Sequence, residues 1–252
     1  HTPHNKYCEG CAAKARNKSH HKGAFARKEP DEKKNILTMD QLTVAELDQP
    51  LGIGGFKYAI IFQRVDTNYW WFVPLRTLQF EESNYHFNLF CRATKSTKQT
   101  TMVYCDQHQT LKAMCKHFGC AVRHPPPGQP RHNPVVERKV GLALQGISCY
   151  LLTAGLPNVF WPMAGHAFVV NYTLSHFEKD GLLAYEKVFG PATFELFIPG
   201  ELVFFKPAPT IISARVAKVE SNLIAGIFLD YYMGPDGKFT GQYICVGLED
   251  FV

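Results

Sequence analysis

From residue 36 to residue 154 the chain changes hydrophobic period in an order that few architectures accommodate. "ILTMDQLTV" (36–44) reads as a strand. "GGFKYAIIFQ" and "NYWWFVPL" read as two more, separated by the turn-like "RVDTN". "TLQFEESNYHFNLFCRA" (77–93) then has helical spacing, "TTMVYCD" (100–106) is a short apolar strand ending on Asp106, and "QTLKAMCKHFG" is a helix with a glycine stop. "CAVRH" is a fifth strand. A proline-dense stretch follows, "RHPPPGQPRHNPVVERK", in which the rings forbid regular structure for about ten residues. A long helix, "NPVVERKVGLALQGISCYLLTAG", starts directly after it, with Pro134 in its first turn and Gly155 at its end. Val136, Val140, Leu144, Ile147 and Leu151 form its expected apolar stripe. "PNVFWPMAGHAFVVNYTLSHF" is expected to be a further helix.

Three carboxylates stand at telling places in this order. Asp40 lies in the first strand, Asp106 ends the fourth, and Glu137 opens the long helix. Each alone is ordinary: an Asp at a strand end caps turns, and a Glu in a first helical turn complements the macrodipole. Together, in this order, they match an α/β ribonuclease H-like core, a mixed five-stranded sheet with flanking helices where three such acids meet. Converging carboxylates repel one another unless cations lie between them. Hard oxygen ligands suit Mg²⁺ or Mn²⁺, and a pair of such ions about 4 Å apart serves phosphoryl transfer.

The proline stretch and the following "GLPNVFWPMAGHAFVVNYTLS" resemble the integrase of Ty1/copia-type retrotransposons, where a loop of the form P-x-x-P-Q-x-N-G-x-x-E-R precedes the third acid. "GGFKYAIIFQRVDTNYWWFVPLRT" is similar to that family's hairpin, and "AGIFLDYYMGPDGKFTGQYICVGLEDF" to a segment following integrase in some copia-like polyproteins. The resemblance implies a DDE-type polynucleotidyl transferase: metal-dependent DNA 3′-end processing and strand transfer by Asp40, Asp106 and Glu137, with Mg²⁺ or Mn²⁺ as cofactor. Glu46 and Asp48, nearer the "GG" landmark, are rivals to Asp40 for the first acid, whereas Asp66 matches a hairpin acid of structural role. "HTPHNKYCEGCAAKAR" resembles half of the family's zinc module, so His1, Cys8 and Cys11 are expected to hold a structural Zn²⁺ in a partial site. The chain opens on His1, not Met, which reads as a fragment of a longer protein.

Charge adds a partner. Residues 1–35 hold nine Lys/Arg and four Asp/Glu, a balance of +5, which is the whole net charge of the chain. That segment is either a solvated linker or an arm that meets phosphates. Lys14, Arg16 and Lys18 within it, and Arg131, His132 and Arg138 around the proline loop, are the expected nucleic-acid contacts. No apolar run reaches the roughly 18 residues of a membrane span. The eight cysteines, apart from the Cys8/Cys11 pair, are scattered through apolar stretches and fit reduced thiols.

The expected organisation is a partial zinc module (1–12), a basic linker (13–35), the catalytic core (36–180) and a β-rich, small-barrel-like C-terminal domain (181–252). The partners implied are DNA and further copies of the chain in a multimer, with a nuclear or cytoplasmic-particle location. Several positions depart from the family pattern. "QHQ" follows Asp106, Pro134 replaces a glycine, and Gly141 and Leu144 occupy helix positions that are often Lys in retroviral relatives. These departures leave a second expectation open: a domesticated, catalytically silent copy acting as a nucleic-acid-binding or structural subunit with protein or RNA partners, organellar if repurposed.

Overall fold

A computed structural model describes residues 35–46, 48–96, 100, 102–123, 134–192, 194–207 and 223–250. The fold is mixed α/β. Strands β1 (Ile36–Thr43), β2 (Tyr58–Arg64) and β3 (Trp70–Leu75) form an antiparallel meander. Helix α1 (Phe80–Ala93) leads to β4 (Met102–Tyr104), and α2 (Gln109–Phe118) to β5 (Ala121–Arg123). β4 and β5 add parallel to β1, so the order across the sheet is β3-β2-β1-β4-β5. The connections explain the mixture: short turns permit antiparallel neighbours, whereas helices return the chain for parallel ones.

The strand alternation sorts the core into two layers. Leu37, Met39, Ile60 and Phe62 point to one face, where they pack with Phe87, Phe90 and Cys91 of α1 and Leu111 and Met114 of α2. Ala59, Ile61, Trp70 and Phe72 point to the other face. That face is covered by α3 (Pro134–Ala154) and α4 (Trp161–Ser175). Complete burial of side chains such as Phe62 and Phe90 contributes about 1.5–3 kcal/mol each. Two glycines set how closely the second layer sits. A Cβ at Gly146 of α3 would lie 2.3 Å from the ring of Phe168 on α4, and one at Gly165 of α4 would lie 2.3 Å from the ring of Phe72 on β3.

Several boundaries differ from the sequence expectation. α1 begins at Phe80 rather than at residue 77, because Glu82 reaches back to accept the backbone N–H groups of Arg76 (3.0 Å) and Thr77 (2.9 Å), which holds those residues in a turn. The helix expected over "PNVFWPM…" is broken into a 3-10 turn at Asn158–Phe160 and then α4. In α3, Ala143 and Tyr150 join Val136, Ile147 and Leu151 in the core, and Leu144 stands outside that cluster, because the helix meets both sheet and α4 and so buries a wider arc than one stripe.

The C-terminal part carries a short helix, α5 (Glu186–Phe189), before any strand of the second sheet. β6 (Leu202–Phe205), β7 (Ile224–Met233) and β8 (Phe239–Gly247) then form an antiparallel sheet in the order β6-β7-β8. Among the described residues no further strand closes this sheet into the expected barrel. Phe228, Tyr231 and Phe239 bury against Ala167 and Val170 of α4. A buried polar network completes the seam. The Tyr231 hydroxyl donates to Asn171 Oδ1 (2.7 Å) and accepts from the Phe197 N–H (2.7 Å), while Asn171 Nδ2 donates to the Tyr150 hydroxyl (3.0 Å) and the Phe197 carbonyl (2.8 Å).

Candidate functional site

The first candidate acid, Asp40, sits in the body of β1. Its strand neighbours Leu37 and Met39 belong to the α1/α2 layer, so the pleat turns Asp40 the other way. Its partner across the ladder is Ile61, whose side chain belongs to the α3/α4 layer. Asp40 therefore points toward α3. The parallel pairing brings the second acid to the same end of the sheet. Thr38 is paired with Tyr104, and Asp40 and Asp106 each lie two residues further on. The ladder ends at that pair, so Asp106 leaves β4 at the same end of the strand pair at which β1 carries Asp40. Asp106 is exposed just past the end of β4. Glu137 is exposed in the first turn of α3, whose Val136 is fully buried against the sheet.

The electrostatics tie the three together. The Asp40 carboxyl is pushed up to about 7, first by burial, then by the negative charge of Asp106, with Glu137 adding in the same direction. A hydrogen bond from the Gln41 backbone opposes the rise. Neither Glu46 nor Asp48 acts on Asp40; both are exposed in the loop after β1. Asp66 pairs with Arg64 next to it in the hairpin, and Arg64 Nη1 donates to the Thr94 carbonyl (2.6 Å), an arrangement of the β2–β3 turn rather than of the acid site. Arg138 is exposed on α3 beside Glu137. Among the described residues, no group of three or more His, Cys, Asp or Glu side chains is arranged as a ready cage for a metal ion. His1, Cys8, Cys11, Lys14, Arg16, Lys18, Arg131 and His132 lie outside the described residues.

Two polar features escape sequence reasoning. Lys139 is 7% exposed, two residues after Glu137, with its ammonium 5.0 Å from the Trp70 ring and 4.8 Å from the Tyr172 ring. Burial brings its amine down to about 8, partly offset by Glu178. The stripe pattern gave a hint, since position 139 lies on the sheet side of α3, but a lysine there reads as surface. The second feature is His166 on α4, whose Nδ1 lies 2.7 Å from Oδ1 of Asp230 on β7. Those residues are 64 apart in sequence, and no spacing rule connects them.

No described helix is long and apolar enough to cross a membrane. None of the described cysteines forms a disulfide. Comparison with protein-family models finds none that matches this chain, and comparison with curated proteins finds no match either.

Proposed function

We propose that residues 36–180 are an integrase-type, ribonuclease H-like core that processes and joins DNA 3′ ends, with Asp40, Asp106 and Glu137 as its carboxylates. The observation that carries this reading is the electrostatic coupling of Asp40 to two acids from other parts of the chain, one just past the end of the parallel strand β4 and one on the helix it faces. Nothing in that trio offsets its negative charge, and the donors are hard oxygens, which fits Mg²⁺ or Mn²⁺. Bound there, such ions supply charge neutralisation and activation of the attacking hydroxyl. The chain's own part is positional. β1 carries Asp40, the chain leaving β4 carries Asp106, and the first turn of α3 carries Glu137 with Arg138 available to phosphate. Water is the nucleophile for end processing and a DNA 3′-hydroxyl for strand transfer. A Zn²⁺ at His1, Cys8 and Cys11, DNA contacts from Lys14, Arg16, Lys18, Arg131 and His132, and assembly as a multimer belong to the same reading.

One observation favours a second reading. "QHQ" directly after Asp106 and Pro134 ahead of Glu137 depart from the family pattern, which suits a silent copy retained for binding. Mn²⁺-dependent strand transfer on a short DNA duplex separates the two. The enzyme reading expects joined product from the wild type and a loss of at least about 100-fold in Asp106→Asn and Glu137→Gln. Folded wild type as inactive as both variants overturns it in favour of the silent subunit.

A further inference from the structure

A cavity of about 510 Å³ opens on the far side of the sheet from β4 and β5, along the outer strand β3. Helix α1 forms one wall, α4 another, and the turn joining β7 to β8 closes one end. Its size lies within the range of sites that enclose a small organic molecule, about 300–1,000 Å³. The walls are largely aromatic and aliphatic. Their polar groups are the hydroxyls of Tyr69, Tyr85, Thr173, Tyr185 and Tyr232 and the imidazoles of His86 and His166, and among the described residues no carboxylate, lysine or arginine lines the space. Trp71 Nε1 already donates to the Tyr69 oxygen (2.8 Å), which leaves the Tyr69 hydroxyl proton to be given elsewhere. Tyr85 and Tyr232 are exposed and flank the opening.

One of these donors is built in. Asp230 is buried and accepts both from the Tyr231 N–H (2.8 Å) and at His166 Nδ1 (2.7 Å). That fixes the imidazole by one nitrogen and leaves Nε2, on a residue that lines the cavity, with no partner among the described residues. The bridging proton can rest on His166 or on Asp230. With the pair at zero net charge, Nε2 carries a hydrogen wherever the bridging proton rests; burial works against a charged imidazole, but the charge and hydrogen bond of Asp230 outweigh it and raise the proton affinity of His166.

We propose that this cavity binds a small flat aromatic acid, its ring stacked among the aromatic walls and its anionic group accepting from His166 Nε2. The complementarity is chemical: a lining with no acidic side chain among the described residues offers a cation no counter-charge, whereas the His166 N–H gives an anion a charge-assisted hydrogen bond beside apolar walls. The assignment does not depend on the acid trio, whose Asp40 stands two strands away on β1 and whose Asp106 and Glu137 do not line this cavity.

Calorimetric titration of the full chain with 2-naphthoate and with its neutral counterpart 2-naphthalenemethanol tests it. Saturable one-site binding of the naphthoate, about tenfold tighter than the alcohol, is expected. In His166→Phe/Asp230→Asn, which removes the donor without stranding a buried charge, the preference should fall to near unity. Leu89→Trp fills the cavity from α1 and should weaken both compounds at least about tenfold. The proposal is overturned if the naphthoate does not saturate, if the alcohol binds wild type equally well, or if the preference survives in the double variant. Should the double variant not fold, the wild-type comparison and Leu89→Trp decide the matter alone.

Discussion

Asp40 in the five-stranded sheet and Asp230 in the three-stranded sheet are both aspartates on strands, and burial raises the proton affinity of both. Their neighbours have opposite signs. Asp40 faces Asp106 and Glu137, which raise it further, whereas Asp230 faces His166, which pulls it back. The pair in the C-terminal sheet is closed by a partner inside the protein and so binds α4 to β7. The trio in the larger sheet has like charges facing Asp40, which its carboxyl answers by holding its proton more tightly. Two identical side chains thus become a tether and a candidate reaction centre by the company that the fold gives them.

The largest test strikes the tether side. Phe228→Ala should cost about 3–5 kcal/mol, because the ring is fully buried in the cluster shared by α4 and the C-terminal sheet. Thermal unfolding should remain a single transition at lower temperature. Two separate transitions would break the comparison by showing the sheets to be independent.

Asp230→Ala should cost about 2–3 kcal/mol, since it strands the His166 Nδ1 group and the Tyr231 N–H. Asp40→Asn should have the opposite sign. An acid whose folded proton affinity is raised from 3.8 to about 7 loses no stability below about pH 4, loses it progressively between those values, and carries the full cost above about pH 7. The Asn variant should therefore match wild type near pH 4 and exceed it by about 1–2 kcal/mol near pH 8, the figure reduced because Asp40 is only half-buried. Chemical denaturation at both pH values reads the difference, and an Asn variant that is less stable near pH 8 would remove the electrostatic argument for the trio.

Gly146→Ala should cost about 1–3 kcal/mol by pushing α3 from Phe168, which also shifts Glu137. A neutral result would mean that α3 and α4 slide without strain. The smallest effect belongs to Lys139. Its amine binds a proton less readily folded than unfolded, so wild-type stability should rise as pH climbs through about 8 toward 10.5. Lys139→Met should lack that slope, and equal slopes would sink the assignment.

Much of the larger sheet was legible because its elements declare themselves locally. The "IIF" and "WWF" runs alternate between two covered faces, Gly119 and Gly155 take left-handed conformations at the ends of α2 and α3, and Asp40, Asp106 and Glu137 stand at element positions that order alone can mark. The C-terminal part was less legible. Its β content was visible in "AGIFLDYYM" and "GQYICVG", but how the strands associate was not, because the three-stranded sheet seen among the described residues and a barrel share the same alternation. The register of Thr38 with Tyr104 was not legible either, because parallel pairing is a contact between segments far apart in the chain.

The sequence by itself determined the elements, their order, the basic N-terminal excess and the three acids that order singles out, since propensity, periodicity and capping act over a few residues. Only the tertiary structure decided that Asp40 turns toward α3, that Lys139 is sandwiched between Trp70 and Tyr172, and that His166 meets Asp230 across the seam. Those are matters of burial and of charge at a few ångströms, set by which surfaces the chain brings together.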